Sequence, residues 1–380
     1  MNTSGPVYAA YSVAEGLWYP PGTKQIDGAP ADIIAMTPAH WKQFPPSNPA
    51  WNYLFAVLYF FLWIVNHVGN GLVMWIFLKT KSLRTPSNML IVNLAVADFF
   101  MMLTQSPLFI ISAFTSRWWI WGHFWCKFYG YTGAITGIAA IFTMVFIGYD
   151  RYNVIVKGMS GRKITKGMAF GMIIWTWIYA NIFSLPAMLE IWGNFSPEGM
   201  LSTCSFDYLN EDRFHGPQYT AYIFFGAYCI PMMLLVYFYT QIVQAVWKHE
   251  AALKEQARKM NVQSLRSNQD ANAQSAEMRI AKVAVTNVLL WVCIWTPYAV
   301  VALVGAFGNR QILTPLFAQL PSLICKTASC FNPIIYAISH PKYRVVLQKE
   351  LPWFCINEPE SHPDNKSIDS TKTETLPQAS

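Results

Sequence analysis

The sequence predicts an all-α membrane protein: a seven-transmembrane helix bundle followed by a short amphipathic eighth helix. Three observations carry that prediction. Hydrophobic residues make up 54% of the 380-residue chain and charged residues only 12%, about half the usual share of charge. The apolar residues are gathered into blocks near 51–78, 87–113, 123–150, 167–190, 218–247, 281–306 and 314–337, each long enough for the roughly 20 residues that cross a hydrocarbon core. The basic residues collect in every second connection between those blocks.

Each block is rich in Leu, Ile, Phe, Met and Trp, without the polar–apolar alternation over about ten residues that marks a membrane β-strand. Interior prolines at 107, 186, 231, 297 and 333 are tolerated there as kinks. Lys79, Lys81 and Arg84 follow the first block, and Arg151, Lys157, Arg162, Lys163 and Lys166 follow the third. Lys248, Lys254, Arg258, Lys259, Arg266, Arg279 and Lys282 follow the fifth, and Lys342, Arg344, Lys349, Lys366 and Lys372 follow the seventh. That face is predicted to be cytoplasmic. The net charge of +7 is then a product of topology, and no nucleic-acid partner is needed to explain it. No cleavable leader is evident in residues 1–50, so this segment is read as extracellular, with Asn2 in a glycosylation sequon. The bundle is assigned to 51–340, the amphipathic helix to 341–355 and a disordered cytoplasmic tail to 356–380. In that last helix Tyr343, Leu347 and Leu351 recur at a spacing of four. Cys355 beyond it is a candidate for palmitoylation, and Ser367, Ser370, Thr371, Thr373 and Thr375 are accessible to kinases.

Cys126 and Cys204 both lie on the oxidising side and are expected to pair. Cys229, Cys293, Cys325 and Cys330 fall within helices and read as packing residues.

Polar side chains inside the membrane are costly and need a partner or a purpose. Asn70, Asp98 and Asn332 sit mid-helix in the first, second and seventh blocks, as a structural network or as one that rearranges during activation. Lys326 is more unusual. It lies about twelve residues, or roughly 18 Å, inside the seventh block, too deep for easy snorkelling. One account is an ion pair with Asp98 or another acid. The other is a desolvated amine that forms a Schiff base. Ser322 shares its helix face, Trp291, Trp295 and Tyr298 offer aromatic walls, and Glu198, six residues before Cys204, is an acid within possible reach. At the opposite end, Asp150-Arg151-Tyr152 closes the third block, and Glu277 could offer Arg151 a second carboxylate.

The series Gly69-Asn70, Leu94-Ala95-Val96-Ala97-Asp98, Asp150-Arg151-Tyr152, Trp177, Pro231, Trp295-Thr296-Pro297-Tyr298 and Asn332-Pro333-Ile334-Ile335-Tyr336 resembles the rhodopsin-like G-protein-coupled receptors over roughly residues 50–355. Lys326, six residues before Asn332, is similar to the retinal-binding lysine of opsins. His340-Pro341-Lys342 and Gln256-Ala257-Arg258-Lys259-Met260-Asn261-Val262 resemble arthropod visual opsins of the rhabdomeric type. The resemblance implies 11-cis-retinal, or a hydroxylated retinal, held as a protonated Schiff base on Lys326 and isomerised by light. It places Tyr129, Gly137, Tyr208, Trp295, Tyr298 and Ser322 around the chromophore. Because Tyr129 stands where vertebrate visual opsins carry a glutamate, it moves the counterion to Glu198. Asp98, Asp150, Arg151, Tyr152, Glu277, Asn332, Pro333 and Tyr336 become the activation switch. A Gq-class G protein, arrestin and a receptor kinase are the implied partners, and the rhabdomeric plasma membrane the implied location. No enzyme activity and no metal follow from it. Gln105 stands where ultraviolet members commonly have lysine, which favours a visible pigment. A retinal photoisomerase or a light-independent sensor is the alternative within opsins. An amine receptor would want an aspartate where this chain has Gly133, and a transporter would want several intramembrane charges along a path.

Overall fold

A computed structural model of the chain describes residues 19–115, 118–259, 268–339 and 341–352. Asn2, Cys355 and the tail hydroxyls lie outside these residues, and the side chains of Glu277 and Tyr336 outside the described set.

A chain in hydrocarbon must satisfy its backbone internally, and these apolar blocks do so as helices. They are α1 (Pro49–Lys79), α2 (Pro86–Thr115), α3 (Gly122–Tyr152), α4 (Lys166–Met188), α5 (Phe214–Gln218 continuing through Tyr219–Ile223 and Phe224–Cys229 to Ile230–Lys259), α6 (Asn268–Phe307) and α7 (Pro315–Ser339). The helix starts follow local chemistry. Asn48 caps α1 by accepting from Ala50 N at 2.9 Å, with Pro49 in the first turn. Thr165 caps α4 by accepting from Met168 N. α5 widens to π-turns over Phe224–Cys229, just ahead of Pro231. Proline offers no N–H and its ring crowds the carbonyl four residues back, and the wider turn absorbs both effects. α5 and α6 run well past their apolar blocks, as the helix-forming composition of their connection predicts.

Six of the helices, with mean hydropathy of 1.5 to 2.1, are apolar enough to be recognised as membrane spans by composition. α7 is the exception because Gln319, Lys326 and Asn332 fall within it, together with Pro321 and Pro333. α3 is the central helix, touching α2, α4 and α5, and 72% of its most apolar stretch is buried. α1 packs on α2 and α7. A short helix, α8 (Pro341–Glu350), turns back under the bundle. Tyr343 and Leu347 are buried, Tyr343 stacks on Phe77, and Lys79 pairs with Glu350 at 2.8 Å. The stripe expected from spacing therefore faces α1.

The end of the bundle opposite α8 is covered by structure that hydropathy does not foretell. Two short helices, Ala31–Met36 and Ala39–Lys42, bury Ile33, Trp41 and Phe44. Beside them β1 (Phe195–Glu198) and β2 (Thr203–Phe206) form an antiparallel hairpin in which Glu198 faces Thr203. The Cys126–Cys204 disulfide, with Cα atoms 5.4 Å apart, ties the hairpin to α3.

Candidate functional site

Lys326 is buried in α7. Its Nζ donates to the Tyr129 hydroxyl at 3.2 Å and lies 5.0 Å from the centre of the same ring. Tyr129 is wholly buried on α3, held edge-on by Trp119. The acid in this corner is Glu198, which the hairpin carries down to α7. Its Oε1 accepts from the Tyr208 hydroxyl at 2.7 Å. Oε2 is buried and makes no hydrogen bond of ordinary geometry. Burial pushes the Glu198 carboxyl above its usual range. The Tyr208 hydrogen bond, the positive charge of Lys326 and the Ser322 and Ser205 hydroxyls each pull it back. A buried carboxylate oxygen favours a nearby positive charge, and the charge of Lys326 acts on Glu198.

From Lys326 a cavity crosses the bundle between α3, α5, α6 and α7, reaching Thr220, Phe224 and Tyr228 on α5. It measures about 150 Å³, on a scale where one water needs roughly 10–15 Å³ of centre space and about 30 Å³ of bulk. The walls are mostly apolar: Gly137, Ile138, Trp291, Trp295 and Tyr298 line it, with Ser322 and Cys325 beside the lysine. Gly137 matters sterically, because a Cβ there would stand 3.0 Å from the Trp295 ring, which stacks on Trp291. Tyr129, Tyr208 and Glu198 meet the site from behind its wall. Cys325, expected only to pack, lines the cavity.

Gly133 tests the amine-receptor alternative. A Cβ there would come within 2.1 Å of Gln105 Nε2, because Gln105 crosses α3 to donate to Tyr129 O at 2.9 Å. An aspartate at that point would have to displace the Gln105 side chain and break its bond to Tyr129 O.

Below the cavity, Asn332 Nδ2 donates to Asp98 Oδ2 at 2.5 Å. Asn70 instead donates to Ser329 O at 3.0 Å, and the Ser329 hydroxyl donates to Lys326 O at 2.8 Å. Asp98 thus pairs with Asn332, and the ion pair with Lys326 weighed from sequence is absent among the described contacts. At the α8 end, Arg151 donates to Asp150.

With this geometry in place, the chain can be set against known proteins. The family described as 7 transmembrane receptor (rhodopsin family) matches residues 69–336. Compound eye opsin BCRH2 of Hemigrapsus sanguineus is 44% identical, over 96% of this chain and 97% of its own length. The chain is an opsin of the rhodopsin family. Opsin Rh3 of Drosophila melanogaster is 46% identical to it, over 92% of this opsin and 90% of that one. The ultraviolet-sensitive opsin of Apis mellifera is also 46% identical, over 95% and 96%. Among solved structures, squid rhodopsin superposes with a TM-score of 0.77 at 36% identity, covering 85% of this opsin and 92% of that chain. The seven-helix fold and the multi-pass membrane class follow directly.

One acid outside the bundle is expected to give this opsin a pH-dependent stability. Asp207, half-buried just after β2, has its carboxyl pushed up to about 6 by burial, against the hydrogen bond from Leu209 N and the charge of Arg310. The fold therefore holds this proton more tightly than the unfolded chain, whose aspartate titrates near 3.8. The stabilisation is full below 3.8 and is lost as pH rises through about 6. Asp207→Asn is expected to remove that loss, so that thermal midpoints across this window stay level where the parent's decline. A parallel decline in both proteins would assign the titration elsewhere.

Proposed function

We propose that this opsin is a visual pigment that binds 11-cis-retinal, or a hydroxylated retinal, covalently through a protonated Schiff base on Lys326. The observation that supports this reading best is the meeting of three features in one corner. A buried amine sits at the end of an apolar cavity, near a buried carboxylate whose Oε2 makes no hydrogen bond of ordinary geometry. The retinal supplies the light response, isomerising from 11-cis to all-trans. The protein's residues do the rest. Lys326 anchors, Glu198 balances the positive charge, and Trp295 and Tyr298 shape the apolar wall around the polyene. Trp295 also borders the small cavity that Asp98 and Asn332 line, so a shift of its ring would be felt at that pair. From there a change can pass along α7, with Pro333 as a flexible point, towards Asp150-Arg151-Tyr152.

The basic connections support a cytoplasmic Asp150-Arg151 end, which on this reading faces a Gq-class G protein and then arrestin and a receptor kinase. The covered hairpin end faces outward. The protein acts by coupling, and no enzymatic role is assigned. The test is to reconstitute the purified chain with 11-cis-retinal in the dark and record spectra before and after illumination. Nucleotide exchange is then followed on Gq- and Gi-class proteins. A visible or near-ultraviolet band that shifts on illumination and drives exchange on the Gq class is expected. Absence of any such band would overturn the reading.

A further inference from the structure

We infer that Gln319 is a positioning residue that fastens the Glu198 hairpin to α7, so that one helix face carries both the attachment lysine and the hold on its counterion. This rests on the proposed pairing of Glu198 with the linkage at Lys326. Gln319 is wholly buried on α7, where an amide must find partners or cost stability. Its partners are all in the hairpin. Oε1 accepts from Met200 N at 3.2 Å and from the Thr203 hydroxyl at 3.4 Å, while Nε2 approaches the same hydroxyl at 3.3 Å. Thr203 stands directly across the strands from Glu198, and Met200 belongs to the turn between them. Gln319 therefore grips the hairpin at its turn and at the strand position that faces the carboxylate.

The turn is shaped to permit this approach. Gly199 has a positive φ of 58°, and a Cβ there would stand 2.9 Å from Pro315 O and 3.1 Å from Gln319 N. Only glycine lets the hairpin lie so close to the first turns of α7. Gln25 holds the turn from the other side, donating to Gly199 O at 3.3 Å. On α7 the residues Gln319, Ser322 and Lys326 fall at i, i+3 and i+7, one face of a helix spanning about 10 Å. Ser322, between the other two, is one of the hydroxyls, with those of Tyr208 and Ser205, that favour the charged form of Glu198. The disulfide fixes the hairpin to α3, but Gln319 sets its register on α7. A shift of α7 that moves Lys326 would then draw the carboxylate with it.

The experiment compares Gln319→Met, similar in length but without hydrogen bonds, with the parent. Pigment is expected to form still, which separates this test from the attachment reading. The pH at which the protonated band is lost is expected to fall by about one unit, and hydroxylamine to bleach the dark pigment severalfold faster. In the ligand-free protein, amide exchange at Met200 is expected to rise about tenfold or more. In a Glu198→Gln background, Gln319→Met should add almost no further change in titration, because both act through one carboxylate. A residue that only packs would lower thermal stability and leave the titration in place, and that result would overturn the proposal. Should Gln319→Met fail to fold, Thr203→Val removes the partner hydroxyl at nearly constant shape and decides in the same way. No pigment in the parent would remove the counterion reading and this proposal together.

Discussion

Lys326→Ala is expected to abolish pigment formation with 11-cis-retinal while leaving a folded, membrane-inserted protein. The effect is all-or-none because a Schiff base needs a primary amine, and among the described residues no other lysine lines the cavity. Lys326→Arg should fail equally, since a guanidinium keeps its proton and does not condense with an aldehyde. The apoprotein's stability is expected to hold or rise. A buried cation that donates to one phenol at 3.2 Å gives back little of what its desolvation costs. Absorption spectra and thermal unfolding of the same preparations check both halves. Undiminished pigment in Lys326→Ala would sink the attachment role outright.

The second large effect is expected from Glu198→Gln. Removing the carboxylate takes away the charge that favours the protonated linkage, so the proton is given up at lower pH. A charge pair a few ångströms apart at an effective dielectric near 20 is worth about 4 kcal/mol, and each pH unit is worth about 1.4 kcal/mol. A fall of up to about three units is therefore expected, with absorption moving towards the ultraviolet at neutral pH. Tyr129→Phe is the informative control. It deletes the hydroxyl that Lys326 contacts without removing a charge, and its effect should be smaller. If Tyr129→Phe moves the titration and Glu198→Gln leaves it unchanged, the counterion is another group.

Much of this was readable from the amino acids, for a physical reason. Lipid imposes one rule on a spanning chain, so α1 to α4 and α7 begin and end within a few residues of their apolar blocks. Lys326 was visible because a charge at that depth is expensive. The hairpin end was less readable. Residues 19–48 look like an ordinary polar segment, yet they bury Ile33, Trp41 and Phe44 through contacts distant in sequence. The contact between Lys326 and Tyr129 joins residues 197 apart, which no local pattern encodes. Gln319 did carry a signal: an amide in a membrane helix, seven residues before the lysine and on the same face. It passes unnoticed because a neutral amide is a weaker anomaly than a charge. The sequence also left Asp98 as a possible partner for Lys326. The fold gives it to Asn332, nearly two turns further along α7.

The composition of α7 has a consequence for how the chain is made. A lysine near the middle of a helix disfavours its entry into the bilayer by roughly 2.5–3.5 kcal/mol, and Gln319 and Asn332 add to that. The segment that carries the proposed attachment lysine is thus the one least able to leave the translocation channel alone. Asn66 and Asn70 of α1 donate to Ser329 O at 3.1 and 3.0 Å, and Asp98 of α2 accepts from Asn332. These groups belong to the first two helices synthesised. They wait, already in the membrane, to receive the last one, so the order of synthesis places the polar docking partners ahead of the helix that depends on them.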